Sequence, residues 1–116
     1  MKRVIACVAL LGILFQGCDR RTASDAAPPV ELNVFAAASL TESFQDIGNQ
    51  FASANPGIIV RFNFAGSQDL RAQLENGAQA DLFASANEKE MSTAATEGLV
   101  NQQTVRDFAQ IDLVLQ

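Results

Sequence analysis

Val34-Phe35-Ala36-Ala37-Ala38-Ser39-Leu40-Thr41 decides the fold, and Phe64-Ala65-Gly66-Ser67 repeats its logic further along. Each stretch ends an apolar, strand-like run, and each puts a serine where a helix should begin. The first turn of a helix leaves backbone N–H groups without an internal partner, and a serine there adds a hydroxyl beside them. Two such starts side by side make a cradle for a small oxyanion.

Working outward, Glu31–Ala37 predicts a first strand. Ser39 then reads as a helix cap, with Glu42 three positions on completing a capping box. Leu40, Phe44, Ile47 and Phe51 recur at helical spacing and line one face of a helix to about Ala54, where Asn55-Pro56-Gly57 stops it. Ile58–Ala65 predicts a second strand, with Val60, Phe62 and Phe64 alternating with Arg61 and Asn63. Central parallel strands are apolar on both faces, so this alternation predicts an edge strand. Ser67 reads as the next helix cap, with Asp69 in the first turn, Leu70 and Leu74 inside and Gly77 at the end. Leu82–Ser85 predicts a short third strand, and Asn87 with Glu90 a cap for a helix ending at Gly98. A short helix over Thr104–Ala109 and a fourth strand over Ile111–Leu115 complete the reading.

Strands alternating with helices at this interval define βαβ units, hence an α/β fold with a parallel sheet and flanking helices. Ligands of such sheets sit beyond the carboxyl ends of the strands. Ser39, Ser67 and Ser85-Ala86-Asn87 all fall there. Serine is a common cap, and a cap need do nothing else. Two features set Ser39 and Ser67 apart. Each follows its strand with almost no loop, and small residues surround both, which lets a ligand approach the backbone. Ser85 and Asn87 read as cap and rim residues.

The chain has 116 residues, and its start reads as a leader. Met1-Lys2-Arg3 is basic, and Val4–Phe15 is apolar but short for a bilayer span. Gly17-Cys18 follows, which makes residues 1–17 a secretory signal peptide. Phe15-Gln16-Gly17-Cys18 resembles a lipobox, in which the cysteine receives a lipid and becomes the first residue. The alternative is ordinary cleavage near Ala26 or Ala27. Charges at Asp19-Arg20-Arg21, directly after the apolar run, favour lipidation. Residues 18–30, small, polar and ending near Pro28-Pro29, read as a tether to a folded part at 31–116.

Composition excludes several functions. Loss of residues 1–17 removes Lys2 and Arg3 from the eight basic residues and none of the 13 acidic ones, so the remaining chain carries −7. That charge argues against nucleic acid as a partner. It does not bar an anion held by local dipoles and hydroxyls, which act at short range. The chain has no His, and its only cysteines, Cys7 and Cys18, precede the folded part. Ser-His-Asp and Cys-His catalysis are therefore absent, as are the usual zinc ligands. An enzyme using Ser39 would need Lys89, the only lysine after the leader, to reach across the sheet. The nucleotide-binding glycine motifs are missing too. The chain reads as a non-enzyme.

Three segments together resemble the periplasmic molybdate-binding protein family, the receptor component of molybdate ABC transporters. They are Val34–Thr41, Phe64–Ser67 with Leu70 following, and Gly77-Ala78-Gln79-Ala80-Asp81-Leu82-Phe83-Ala84-Ser85-Ala86. The resemblance runs from about Leu32 to Leu115. It implies a two-lobed fold that clamps molybdate between the lobes, with Ser39 and Ser67 as the first lobe's ligands. It also implies a membrane permease and ATPase as partners, and a place in the periplasm or at the cell surface, lipid-anchored if Cys18 is modified. No cofactor and no direct cation ligand is implied. Tungstate, nearly the same size, should also bind. The alternatives are a receptor for another oxyanion, tungstate or sulfate, and a non-transport sensor lobe of the same fold. The second lobe and the return crossover fall outside this sequence, so the chain is expected to be a truncated first lobe.

Overall fold

The computed structural model describes residues 27–110. The expected signal peptide, Cys18, most of the expected tether and the expected fourth strand lie outside the described residues. Among those that are described, no helix is long and apolar enough to cross a membrane.

Strand β1 (Val30–Ala37) leads through a 3-10 turn (Ala38–Leu40) into helix α1 (Thr41–Ala54). Strand β2 (Ile58–Ala65) leads into α2 (Ser67–Glu75), and β3 (Leu82–Ala84) into α3 (Glu88–Thr96). The strands form a parallel sheet in the order β2-β1-β3. Apolar β1 thus takes the centre and alternating β2 an edge, as its pattern requires.

Register sorts the residues onto two faces. Leu32, Val34 and Ala36 pair with Val60, Phe62 and Phe64, and Ala36 also pairs with Ala84. These form the core cluster, on which Leu40 and Phe44 pack. Helix α1 covers this face. It comes close because Gly48 has no side chain: a Cβ there would lie 2.6 Å from Phe62 Cζ. On the other face α2 lies over Asn63, whose Nδ2 donates to Gln73 Oε1 at 2.7 Å. Leu70 is fully buried on that helix.

Helix α3 is stapled to α2 by Arg71, whose Nε donates to Glu90 at 2.8 Å and whose Nη1 pairs with Glu97 at 3.1 Å and with Glu75. The hydrogen bond to Glu90 is the main cause holding the Arg71 pKa above its ordinary value. Gly57, Gly77 and Gly98 follow the helix ends at φ +97°, +89° and +73°, the left-handed region that glycine occupies without strain.

Several expectations are corrected. Ser39 does not cap a helix: it sits inside the 3-10 turn, and Leu40 occupies the α1 cap position with no side-chain bond. Ser67 does not cap α2 either. Gly66 holds that position in an extended conformation, and Ser67 is the first helical residue. Ile47 and Phe51 are exposed rather than packed, at 59% and 41%. The α1 contact strip instead runs through Phe44 and Gly48. Thr104–Ala109 is not a helix; only Gln102–Thr104 coils, as a 3-10 turn capped by Asn101. The Asn87 cap forms as read, its Oδ1 accepting from the Glu90 N–H at 2.9 Å.

Candidate functional site

The carboxyl edge of the sheet gathers the three serine-bearing turns. Ala37 pairs with Ala65, and Ser39 and Ser67 each lie two residues beyond that pair. Both leave the same edge on adjacent strands. Ala36 and Ala84, also paired, are 0% and 2% exposed, so small side chains fill the sheet just below this edge.

The two serines differ in setting. Ser39 is exposed, and its turn is tied by Thr41 Oγ1, which donates to the Ala38 carbonyl at 2.7 Å. Ser67 is buried, 7% exposed, and its Oγ accepts from the Ala86 N–H at 3.0 Å. A hydroxyl that accepts still has its own proton to donate. Around both, the first N–H groups of the following turns supply further donors.

Ser85 belongs to the rim. Its Oγ donates to the Asn87 carbonyl at 2.7 Å and accepts from the Asn87 N–H at 3.2 Å. Asp81 fixes where this third turn starts: its N–H donates to the Asn33 carbonyl, and its Oδ2 accepts from the Asn33 N–H, both at 2.8 Å.

One carboxylate stands near the donors. Asp69, in the first turn of α2, places Oδ2 3.0 Å from where a Gly66 Cβ would be. A negative group at a helix start takes part of the field that an anion would use. Among the described residues, no group of His, Cys, Asp and Glu could hold a metal ion. One open concavity runs along α2 from Asp69 past Gln73 and Asn76, and another lies between α1 and β2 by Gly48 and Phe62. The serine edge is an open wall.

Sequence reading missed the Ala86 amide and the Arg71 staple. A backbone N–H carries no residue signature. Arg71 does have a signal, since Glu90 and Glu97 are seven apart and so share one helix face.

The structure is thus a parallel α/β lobe with hydroxyl and amide donors at its carboxyl edge. Residues 32–116 match the family described as bacterial extracellular solute-binding protein, and the chain belongs to it. It is 41% identical over 100 residues to the molybdate-binding protein ModA of Mycobacterium tuberculosis, covering 84% of this chain and 38% of that one. It is 45% identical over 74 residues to the molybdate-binding protein ModA of Escherichia coli, covering 64% of this chain and 28% of that one. A solved Clostridium difficile substrate-binding domain assigned to a molybdenum ABC transporter superposes with a TM-score of 0.64 at 37% identity. The match covers 67% of this chain and 34% of the other. The chain therefore corresponds to part of one lobe of the periplasmic binding protein fold and spans 38% of the length of its mycobacterial relative.

Proposed function

We propose that the chain is the first-lobe portion of the solute receptor of a molybdate ABC transporter, a binding component and not a catalyst. In this reading Ser39 and Ser67 hold the oxyanion with their hydroxyls, aided by the N–H groups of their turns. The observation that carries it is the pairing of Ala37 with Ala65, which sends both serines off one sheet edge. Molybdate is a full dianion at neutral pH and offers only acceptors, so a cage of neutral donors suits it. Each charge-assisted hydrogen bond contributes about 1.5–3 kcal/mol net. Tungstate has the same charge and nearly the same size and binds alike. Sulfate is smaller, and its rejection depends on a cavity that a second lobe completes.

The partners in this reading are a membrane permease and its ATPase. The receptor works in the periplasm or at the cell surface, with Cys18 lipid-modified and residues 18–30 as the tether. The chain alone offers one wall, where hydroxyls compete with water. Its affinity is then in the millimolar range or weaker, about −4 kcal/mol.

Titration of the 15N-labelled chain with molybdate, tungstate and sulfate tests this. Molybdate and tungstate should move the amides of residues 38–40 and 66–68 together, saturating at millimolar concentration. Unmoved amides in both turns overturn the site; micromolar affinity overturns the single-wall account. For the anchor, mass spectrometry of the mature N-terminus should find lipid on Cys18. An unmodified start at Ala26 or Ala27 rules the anchor out.

A further inference from the structure

We infer that the backbone amide of Ala86 is a positioning group for the oxyanion site, holding the Ser67 hydroxyl as a donor aimed at the ligand. The inference rests on the reading of Ser67 as an oxyanion ligand. Several other hydroxyls among the described residues spend their proton on a nearby carbonyl. Thr41, Ser53, Thr93 and Thr96 donate to the carbonyls of Ala38, Asn49, Lys89 and Ser92 at 2.7–2.9 Å. Ser67 is arranged the other way. Its Oγ accepts from Ala86 at 3.0 Å, and among the described residues its proton has no acceptor.

A hydroxyl has one proton and two lone pairs at staggered positions about the Cβ–Oγ bond. The Ala86 N–H claims one of these positions for a lone pair. The proton must then take one of the other two, and it is never lost toward the third turn. The same N–H polarises the O–H bond, because hydrogen bonds in a chain strengthen one another. An anion accepting from Ser67 thus meets a hydroxyl whose rotor is already restricted and whose proton is already more acidic.

The fold fixes Ala86 from both sides. Upstream, Asp81 is bonded twice to Asn33 and β3 pairs in register with β1. Downstream, Ser85 and Asn87 close a tight turn and Asn87 caps α3. Arg71 then ties α3 to α2, the helix that Ser67 opens. Donor and acceptor therefore ride on two elements clamped to each other.

Two measurements on the 116-residue chain test the inference. In the wild type, the Ala86 amide proton should move downfield on molybdate titration, along the same saturation curve as the Ser67 amide. In the second, lactic acid replaces Ala86 by cell-free synthesis, turning the amide into an ester that lacks the N–H. The ester should weaken molybdate binding about three- to tenfold in the Ser67 protein. It should leave residual binding unchanged in a Ser67→Ala background, where a purely structural role would weaken both equally. A static Ala86 amide beside a responding Ser67 amide, or equal losses in the two backgrounds, overturns the inference and leaves the proposed function standing. Amides in both serine turns that ignore molybdate overturn the function, and the inference with it.

Discussion

Ser39 and Ser67 leave one sheet edge at equivalent positions, yet Ser39 stands exposed in a 3-10 turn while Ser67 is buried at the start of α2. The connection out of each strand sets the difference. After β1, Ala38–Leu40 coils tightly before α1 begins, which lifts Ser39 into solvent. After β2, a single extended glycine at φ −60°, ψ 143° intervenes, and Ser67 enters the helix at once against the third turn. Gly66 stands where the first turn has Ala38, and the missing side chain leaves room for Asp69. The two hydroxyls therefore have different duties. Among the described residues the Ser39 hydroxyl has no hydrogen-bond partner, which leaves it to the proposed ligand role, whereas that of Ser67 also ties α2 to the third turn.

Ser67→Ala should have the largest effect. It leaves the Ala86 N–H without its acceptor, a loss of about 1–3 kcal/mol in urea denaturation, and it removes a proposed ligand donor as well. Ser39→Ala should cost about 0.5 kcal/mol or less in stability, the ordinary range for a surface change. In a protein joined to a second lobe it should still weaken molybdate binding by about 1–3 kcal/mol in calorimetric titration. Equal stability losses in the two variants would erase the contrast between the turns.

Asp69→Asn sharpens the contrast from the other side. Removing the carboxylate from the α2 start should raise molybdate affinity about two- to fivefold, corresponding to 0.3–1 kcal/mol, with a gain that shrinks as salt rises. No gain over the wild type at low salt, or a gain that salt leaves unchanged, would mean that Asp69 does not face the ligand.

The smallest effect lies at the far end of the strands. Arg61 donates to Glu31 at 2.7 Å, and this bond is the main cause holding the Glu31 carboxyl below its ordinary pKa. A lowered carboxyl contributes stability above its unfolded pKa and loses that contribution as pH falls through the folded value. The side chains are 59% and 47% exposed, so the contribution is small. Melting temperatures of the wild type and Glu31→Gln should differ slightly at neutral pH and converge in acid. A gap that widens in acid would reverse the sign.

The three strands within the described residues were legible to within a residue because apolar runs and their stops specify them locally. The edge position of β2 followed from the alternation of Phe62 and Phe64 with Arg61 and Asn63. The Asn87 cap was legible because it closes within four residues. The misreadings were tertiary. Periodicity placed Ile47 and Phe51 on the buried face of α1, but the close approach at Gly48 moved the contact strip. Serine at a strand exit suggested a cap in both turns. Neither caps, since one turn tightens to 3-10 and the other gives its cap position to glycine. That both serines share an edge was readable; that one of them is bonded to residue 86 was not, because the partner is backbone.

The parallel sheet also sets an order of assembly. Contacts between β1 and β2, such as Glu31 with Arg61, span 30 residues, whereas those between β1 and β3, such as Asn33 with Asp81, span 48. The longer closure costs only about 0.4 kcal/mol more in loop entropy. Chain growth adds a stronger bias, because β1 and β2 emerge while the third strand is still being made. The first two strands can therefore pair, with α1 across them, before residue 86 exists to meet Ser67. The hydrogen bond that primes the ligand hydroxyl is then among the last to form. In hydrogen exchange on stalled nascent chains of increasing length, the amides of β1 and β2 should gain protection before that of Ala86.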